Sequence, residues 1–145
     1  MTHHYRVLED VALADAAFEA TGDSPSELFL SASQAVIETL ADPSTVGVSW
    51  RRTIERNAPD LQTLLFDWLG EIIYLKDAEA VVFSGVVVDV EHLSDKGWRL
   101  HATLTGEPVD GTRQELRADV KAVTKHLYDV REYEGKWEAR VVLDL

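Results

Sequence analysis

The last quarter of the chain, Asp119 to Leu145, reads DVKAVTKHLYDVREYEGKWEARVVLDL and predicts a strand, a turn and a second strand. Apolar and polar residues alternate in the second strand, which is typical of a strand with one buried face. The inward residues are Trp137, Ala139, Val141, Leu143 and Leu145. We therefore expect a rigid element to hold Asp144 beside the α-carboxylate of Leu145. Two carboxylates held together repel each other, so the strand predicts a cation or a basic side chain between them.

Length and composition restrict the class of protein. The chain has 145 residues and a hydrophobic content of 46%, which predicts one globular domain spanning residues 1–145. It has no apolar run of about eighteen residues and no apolar signal core, so we expect no membrane span, no export and a cytoplasmic location. There are no cysteines, which excludes disulfides and thiolate metal ligands.

The net charge of −12 indicates which kinds of binding partner to expect. Proteins that bind nucleic acids directly usually carry a basic surface, because neutralising phosphates supplies most of the affinity. We therefore expect no tight, direct binding of RNA or DNA. An acidic chain is better suited to a divalent cation or to a basic protein partner, although the charge can also serve solubility alone.

Two strands and a helix are predicted in the first third of the chain. Tyr5 to Leu8 predicts a short strand, and a second strand carrying Asp15 ends at Gly22-Asp23. A solvated Asp on a half-exposed strand is the simplest interpretation of Asp15. Ser24-Pro25-Ser26-Glu27 is typical of a capped helix start, and Asp42-Pro43 ends that helix.

The middle of the chain predicts a strand followed by a second helix. The strand spans residues 46–55 and carries a basic cluster that could meet an anion but is more simply a solvated face. The cluster consists of Arg51, Arg52 and Arg56. The helix spans Asp60 to Lys76, with apolar residues at the i, i+3, i+4 and i+7 positions and Glu71 among its acids.

From Val81 onward the pattern is that of strands. One strand face is predicted to hold Val82, Val86, Val88 and Val90, and a turn at residues 94–97 leads into a returning strand. A polar loop is predicted from Gly106 through Glu115. These elements predict an α+β fold: a single domain of two helices packed on an antiparallel β-sheet of about six or seven strands.

Three segments carry a resemblance to a known family. They are VKAVTKH with the terminal VVLDL, ADAAFEATGDSPSELF near the N-terminus, and LLFDWLGEIIYLKD in the second helix. Together they resemble the archease family, and the resemblance covers almost the whole chain. The sequence departs from the family pattern at Ala12, where a His is usual, at Gly70, where an Asn is usual, and at Lys125, where a Tyr is usual.

The resemblance implies a function and a site. Archeases are non-enzymatic activators of the RtcB-type RNA ligase of tRNA splicing and RNA repair, and they promote ligase guanylylation and multiple turnover. Carried over by position, Asp15, Asp144 and the carboxylate of Leu145 would bind a divalent metal, with calcium expected and magnesium the alternative. Lys121 would act in activation of the partner, on the strand face opposite Thr124.

Three further residues are accessory candidates, and two other functions remain open. The candidates are Asp10, close to the position of the absent family His, together with Glu71 and His126. His126 is more simply a hydrogen-bonded, partly buried histidine. A small metal-dependent hydrolase could use the same acids with His126 as a base. A structural interaction module would bind no metal at all.

Overall fold

Seven strands and two α-helices form the part of the chain that the computed structural model describes, residues 3–8 and 15–145. The strands are β1 His3–Leu8, β2 Asp15–Gly22, β3 Trp50–Ala58, β4 Val81–Leu93, β5 Gly97–Pro108, β6 Ala122–Tyr133 and β7 Lys136–Asp144. The helices are α1 Pro25–Leu40 and α2 Leu61–Glu79. A short 3-10 turn, Pro43–Thr45, follows α1. No helix in the described ranges is long and apolar enough to cross a membrane.

The strands form two antiparallel sheets. One sheet has the order β1-β2-β7-β6 and the other the order β3-β5-β4. Each helix contacts strands of both sheets, so one continuous core joins them. The α+β prediction of two helices on antiparallel strands is confirmed, whereas the division into two sheets was not predicted.

Helix α1 begins at the predicted cap. The hydroxyl of Ser24 accepts a hydrogen bond from the backbone N–H of Glu27 at 3.2 Å, and Pro25 occupies the first turn. Leu28, Phe29, Ala32 and Val36 of this helix are fully buried. A polar link ties α1 to α2 inside the core, because the indole N–H of Trp68 donates to the Ser33 hydroxyl at 2.8 Å.

Helix α2 extends one turn beyond its predicted end at Lys76. It starts after Asp60, whose carboxylate accepts from the backbone N–H of Thr63 at 2.7 Å, and it ends at Glu79. Ala80 follows with a φ of 52°, the left-handed conformation that commonly closes a helix. The predicted apolar stripe is buried as a set. Its members are Leu61, Leu64, Leu65, Trp68, Leu69, Ile72 and Ile73.

The predicted face of β4 is wrong at one position. A bulge between Phe83 and Gly85 adds a residue to β4, which inverts the side-chain alternation. Val86, Val88 and Val90 therefore face the main core together with Phe83, while Val82 packs in a smaller cluster with Ala41 and Val46.

A glycine in the adjacent strand lies opposite Phe83, where the bulge begins. A Cβ atom on Gly106 would lie 2.0 Å from the carbonyl oxygen of Val82, so only glycine allows the two strands to approach this closely. Gly106 belongs to β5, which runs to Pro108. The predicted loop from Gly106 through Glu115 is therefore corrected at its start, since Glu107 is a buried strand residue.

Candidate metal site

The pairing of β2 with β7 brings together two of the predicted metal ligands. Asp15 lies directly opposite Asp144 in the antiparallel register, and Asp144 lies opposite Ala122 on its other side. Residues directly opposite in such a pair project from the same face, with Cβ atoms about 4.5–5.5 Å apart. Both aspartates are half-buried. Two acids from opposite ends of the sequence are thus neighbours.

The alternating sequence of β7 explains why this register forms. Ala139, Val141 and Leu143 face the helices and are buried, as predicted from their spacing. A slip of one residue would turn this whole set toward solvent, so burial of the apolar face determines the pairing. Leu145, the residue after Asp144, is half-buried and packs against the core.

The outer face of this sheet provides an internal comparison for the aspartate pair. Glu19 lies on the same face and is bound by Arg6 at 2.6 Å and by Arg140 at 3.1 Å. Hydrogen bonds from these two guanidinium groups lower the pKa of Glu19. Between this cluster and the aspartates lies the buried apolar pair Ala17 and Val142. The arginines are therefore separated from the aspartates by an apolar row.

The donor set at the aspartate pair suits a hard divalent cation. Within residues 3–8 and 15–145, neither Asp15 nor Asp144 has a side-chain hydrogen bond or an ion pair. Calcium and magnesium prefer such carboxylate oxygens. The described residues contain no cluster of three or more acidic or histidine side chains suited to a metal.

Lys121 lies beside Asp144 through its main chain. Its backbone N–H donates to the carbonyl oxygen of Asp144 at 2.7 Å. Its exposed side chain lines a groove of about 330 Å³ beside α2, together with Tyr74 and Asp77. Thr124 lies in register with Val142 on the outer face, so the predicted separation of Lys121 from Thr124 is found.

His126 differs from its predicted environment. A register shift interrupts β6 between Thr124 and Asp129, and Leu127 adopts a φ of 55° within it. His126 lies in this irregular segment with an exposed side chain, and its backbone N–H donates to the Thr124 hydroxyl at 3.2 Å. The expected partly buried histidine is therefore wrong, because the irregular segment keeps the ring outside the packed part of the strand.

The other accessory candidates do not join the aspartate pair in the described structure. Glu71 projects from α2 toward β3 and forms an ion pair with Arg56. The predicted basic cluster is divided, since Arg52 pairs with Glu79 at 3.4 Å while Arg51 lies on the opposite face of β3. Asp10 lies outside the described residues.

Two buried charged residues were not singled out from the sequence. Lys76 continues the apolar stripe of α2 and is 8% exposed. Its spacing of three and four residues from Ile73 and Ile72 was the available signal. Glu107 is also 8% exposed, in a segment that reads as a polar loop.

Glu107 is held by four donors. The amide of Gln114 donates at 2.9 Å and the guanidinium of Arg113 at 3.2 and 3.3 Å, while the backbone N–H of Gly47 also donates. These hydrogen bonds, led by that from Gln114, lower the pKa of Glu107 to about 2. Nothing in the local sequence around Glu107 indicated these partners.

The fold and the site define a class of protein: an acidic α+β protein in which β7 places Asp144 opposite Asp15 of β2 on one sheet face. Residues 5–145 match the model of the Archease protein family. The chain is 36% identical to "Protein archease" of Methanopyrus kandleri, covering 91% of this chain and 94% of that one. It is 37% identical to "Protein archease" of Methanothermobacter thermautotrophicus, covering 91% and 93%. The chain belongs to the archease family.

Solved structures agree with the fold. The solution structure of Methanobacterium thermoautotrophicum protein 1598 superposes with a TM-score of 0.81 at 36% identity, covering 99% of this chain and 98% of that one. The crystal structure of an archease from Thermotoga maritima, described as a possible chaperone, gives a TM-score of 0.65 at 18% identity, covering 98% and 100%. At that lower identity the likeness concerns the fold alone.

Proposed function

We propose that this protein is a non-enzymatic activator of an RtcB-type RNA ligase that promotes ligase guanylylation and multiple turnover. The observation that supports the proposal most directly is the facing pair Asp15 and Asp144, with the backbone N–H of Lys121 donating to the backbone carbonyl oxygen of Asp144. These are residues to which the family resemblance assigns metal binding and partner activation, and the fold brings them to one end of the sheet.

The proposed cofactor is a divalent cation, calcium in the first instance and magnesium as the alternative. Asp15, Asp144 and the carboxylate at Leu145 would hold it, and the cation would neutralise carboxylates that otherwise repel each other. Lys121 would then contact the ligase from the same end of the sheet. The protein needs no catalytic group of its own in this role.

The alternative of a metal-dependent hydrolase needs a general base near the metal. His126 is the candidate base, but it belongs to no metal-type cluster with Asp15 and Asp144 among the described residues. An activator that docks on a ligase has no such requirement. The lack of a described group that joins His126 to the aspartates therefore favours the activator over the hydrolase.

The decisive experiment is a ligation assay with limiting ligase, GTP and RNA ends, with and without this protein. We expect several turnovers per ligase in its presence and about one in its absence. Extension of the chain beyond Leu145 replaces an anionic carboxylate by a neutral amide carbonyl, so a C-terminally tagged form should lose stimulation and calcium affinity. An N-terminally tagged form is the matched control. If ligase turnover does not change on adding the protein, the proposed function is wrong.

A further inference from the structure

The ammonium group of Lys76 binds the segment that precedes β6. Its Nζ donates to the Asp119 carboxylate at 2.6 Å and to the Val120 carbonyl oxygen at 2.8 Å, and it lies 2.9 Å from the Asp77 carboxylate. Burial alone would lower the pKa of Lys76, but the hydrogen bonds to Asp119 and Asp77 outweigh it and raise the pKa. The group is therefore charged and is fixed by three partners.

One peptide group connects this lysine to the candidate metal site. The carbonyl of Val120 and the N–H of Lys121 belong to the same planar unit, and they point in opposite directions across a trans peptide. Lys76 binds the carbonyl end, while the N–H end donates to the Asp144 carbonyl oxygen at 2.7 Å. Because hydrogen bonds in a chain polarise one another, the ammonium strengthens the bond to Asp144.

We propose that Lys76 is a positioning residue for the Asp15–Asp144 pair, because it locks the Val120–Lys121 peptide that holds the backbone of Asp144. The fixing of this peptide by Lys76, here called the lock, does not depend on the proposed function. The effect of the lock on metal binding does rest on the proposed function. Helix α2 thereby sets the position of the end of β7 without touching a carboxylate ligand.

The burial of Val120 makes its carbonyl group dependent on Lys76. Taking an ammonium group out of water is costly, and the three partners of Lys76 offset that cost. Removing the ammonium would, however, leave the carbonyl of Val120 without this partner, in a residue that is fully buried. The peptide would then be held at one end only.

The first test measures hydrogen exchange of the Lys121 amide by NMR in metal-free protein. Lys76→Met keeps the apolar stem and removes the ammonium, so exchange at Lys121 should accelerate about tenfold or more while amides in the middle of β7 keep their rates. Lys76→Arg retains charge and donors and should restore protection at least in part. Lys136→Met is the matched control, since Lys136 pairs with Asp23 at 3.2 Å at the opposite end of β7.

Asp119→Ala is a second test that does not alter a buried residue, in case Lys76→Met fails to fold. The Asp119 side chain is 85% exposed, so the core remains intact, and losing one of the three ammonium partners should raise Lys121 exchange at least twofold. Unchanged exchange in Asp119→Ala, or in a folded Lys76→Met, would overturn the lock. A uniform acceleration across β7 would assign Lys76 a role in global stability and also overturn it.

The second test is calorimetric titration with calcium. Lys76→Met should weaken affinity about 10- to 100-fold, the range found when an outer-shell group that orients a ligand is removed. Lys136→Met should bind like the wild type. Faster Lys121 exchange with unchanged calcium affinity would overturn the positioning role. If the wild type binds no calcium while the exchange result holds, the metal site of the proposed function fails and the lock stands.

Discussion

At the scale of single residues, carboxylates on one sheet face occupy two different electrostatic environments. Glu19 is neutralised by Arg6 and Arg140, while the facing Asp15 and Asp144 have no cationic side chain bound to them among the described residues. Like charges directly opposite each other destabilise a strand pair. A divalent cation bound between Asp15 and Asp144 would remove that repulsion and add its own coordination energy. Binding of the cation should therefore increase the free energy of unfolding.

The first prediction concerns Asp144→Asn. When a chelator removes metal ions, the free energy of unfolding of the variant should exceed that of the wild type by up to about 1 kcal/mol, because one of the two facing charges is gone. In calcium at 100 times the dissociation constant the wild type should gain about 2.7 kcal/mol and the variant much less. Chemical unfolding in both conditions measures this, with Asp129→Asn on the same face as the control. If calcium stabilises Asp144→Asn and the wild type equally, Asp144 is not a calcium ligand.

The second prediction concerns Lys121→Ala. The side chain is exposed, so the free energy of unfolding should change by no more than about 0.5 kcal/mol. The backbone N–H that binds Asp144 is retained in the variant, so any loss of ligase stimulation reports on the ammonium group alone. Stimulation should be lost in the limiting-ligase assay and kept in Lys96→Ala, a change in the turn between β4 and β5. A variant that stimulates like the wild type would make Lys121 an ordinary surface charge.

At the scale of elements, hydrogen bonds to the Glu107 carboxylate hold the end of β5 against two neighbouring segments. Glu107 binds Arg113 and Gln114 from the following turn and the backbone of Gly47 from the segment before β3. A Cβ atom on Gly47 would lie 2.7 Å from the Glu107 carboxylate, so glycine permits this approach. Three segments that are distant in sequence thus depend on one charged group.

The third prediction follows from the pKa of Glu107, which is about 2 in the folded state against an ordinary value of 4.5. A lowered folded-state pKa contributes stability above pH 4.5, and that contribution is lost as the pH falls toward 2. Glu107→Gln should therefore be less stable than the wild type at pH 7, and the difference should shrink between pH 4.5 and 2. Urea unfolding across this range measures it.

Glu91→Gln is the control for this titration. Glu91 pairs with Arg99 at 3.3 Å on an exposed face, where an ion pair contributes little. Its stability should follow that of the wild type at every pH. A constant difference between Glu107→Gln and the wild type from pH 7 to 2 would show that the carboxylate charge is not what fastens the turn.

At the scale of the whole molecule, the arginines serve largely as local partners of carboxylates. Arg6 and Arg140 bind Glu19, Arg113 binds Glu107, and Arg117 binds Glu115. With a net charge of −12, the surface should repel polyanions at long range. A partner that itself handles RNA could then be approached without competition for its substrate.

The fourth prediction is that the isolated protein binds tRNA weakly or not at all at about 150 mM salt, where charges are screened beyond roughly 8 Å. Tight binding of single-stranded nucleic acid needs a basic groove with aromatic platforms. Fluorescence anisotropy with labelled tRNA should give no sub-micromolar dissociation constant. Binding tighter than this would contradict the view that the protein acts through the ligase rather than through RNA.

Local pattern determined most of the elements of this protein. Side-chain alternation indicated β7 and its buried face, helical spacing indicated α2, and capping residues indicated the start of α1. These features depend on nearest neighbours along the chain, which is why they can be predicted from the sequence. The strand pattern pointed to Asp144, but its partner Asp15 came from resemblance to a family, since spacing alone could not relate residues so far apart.

Tertiary structure alone decided the pairing of those residues and the division of the strands into two sheets. The register of β2 against β7 follows from burial of whole apolar faces, and the bulge in β4 inverted a face that the sequence showed as uniform. In the sequence, Glu107 reads as a loop residue, and only its spacing from Ile72 and Ile73 relates Lys76 to the apolar stripe. Their burial is possible only because hydrogen-bond partners from distant segments surround them, and such partners exist only once the chain has folded.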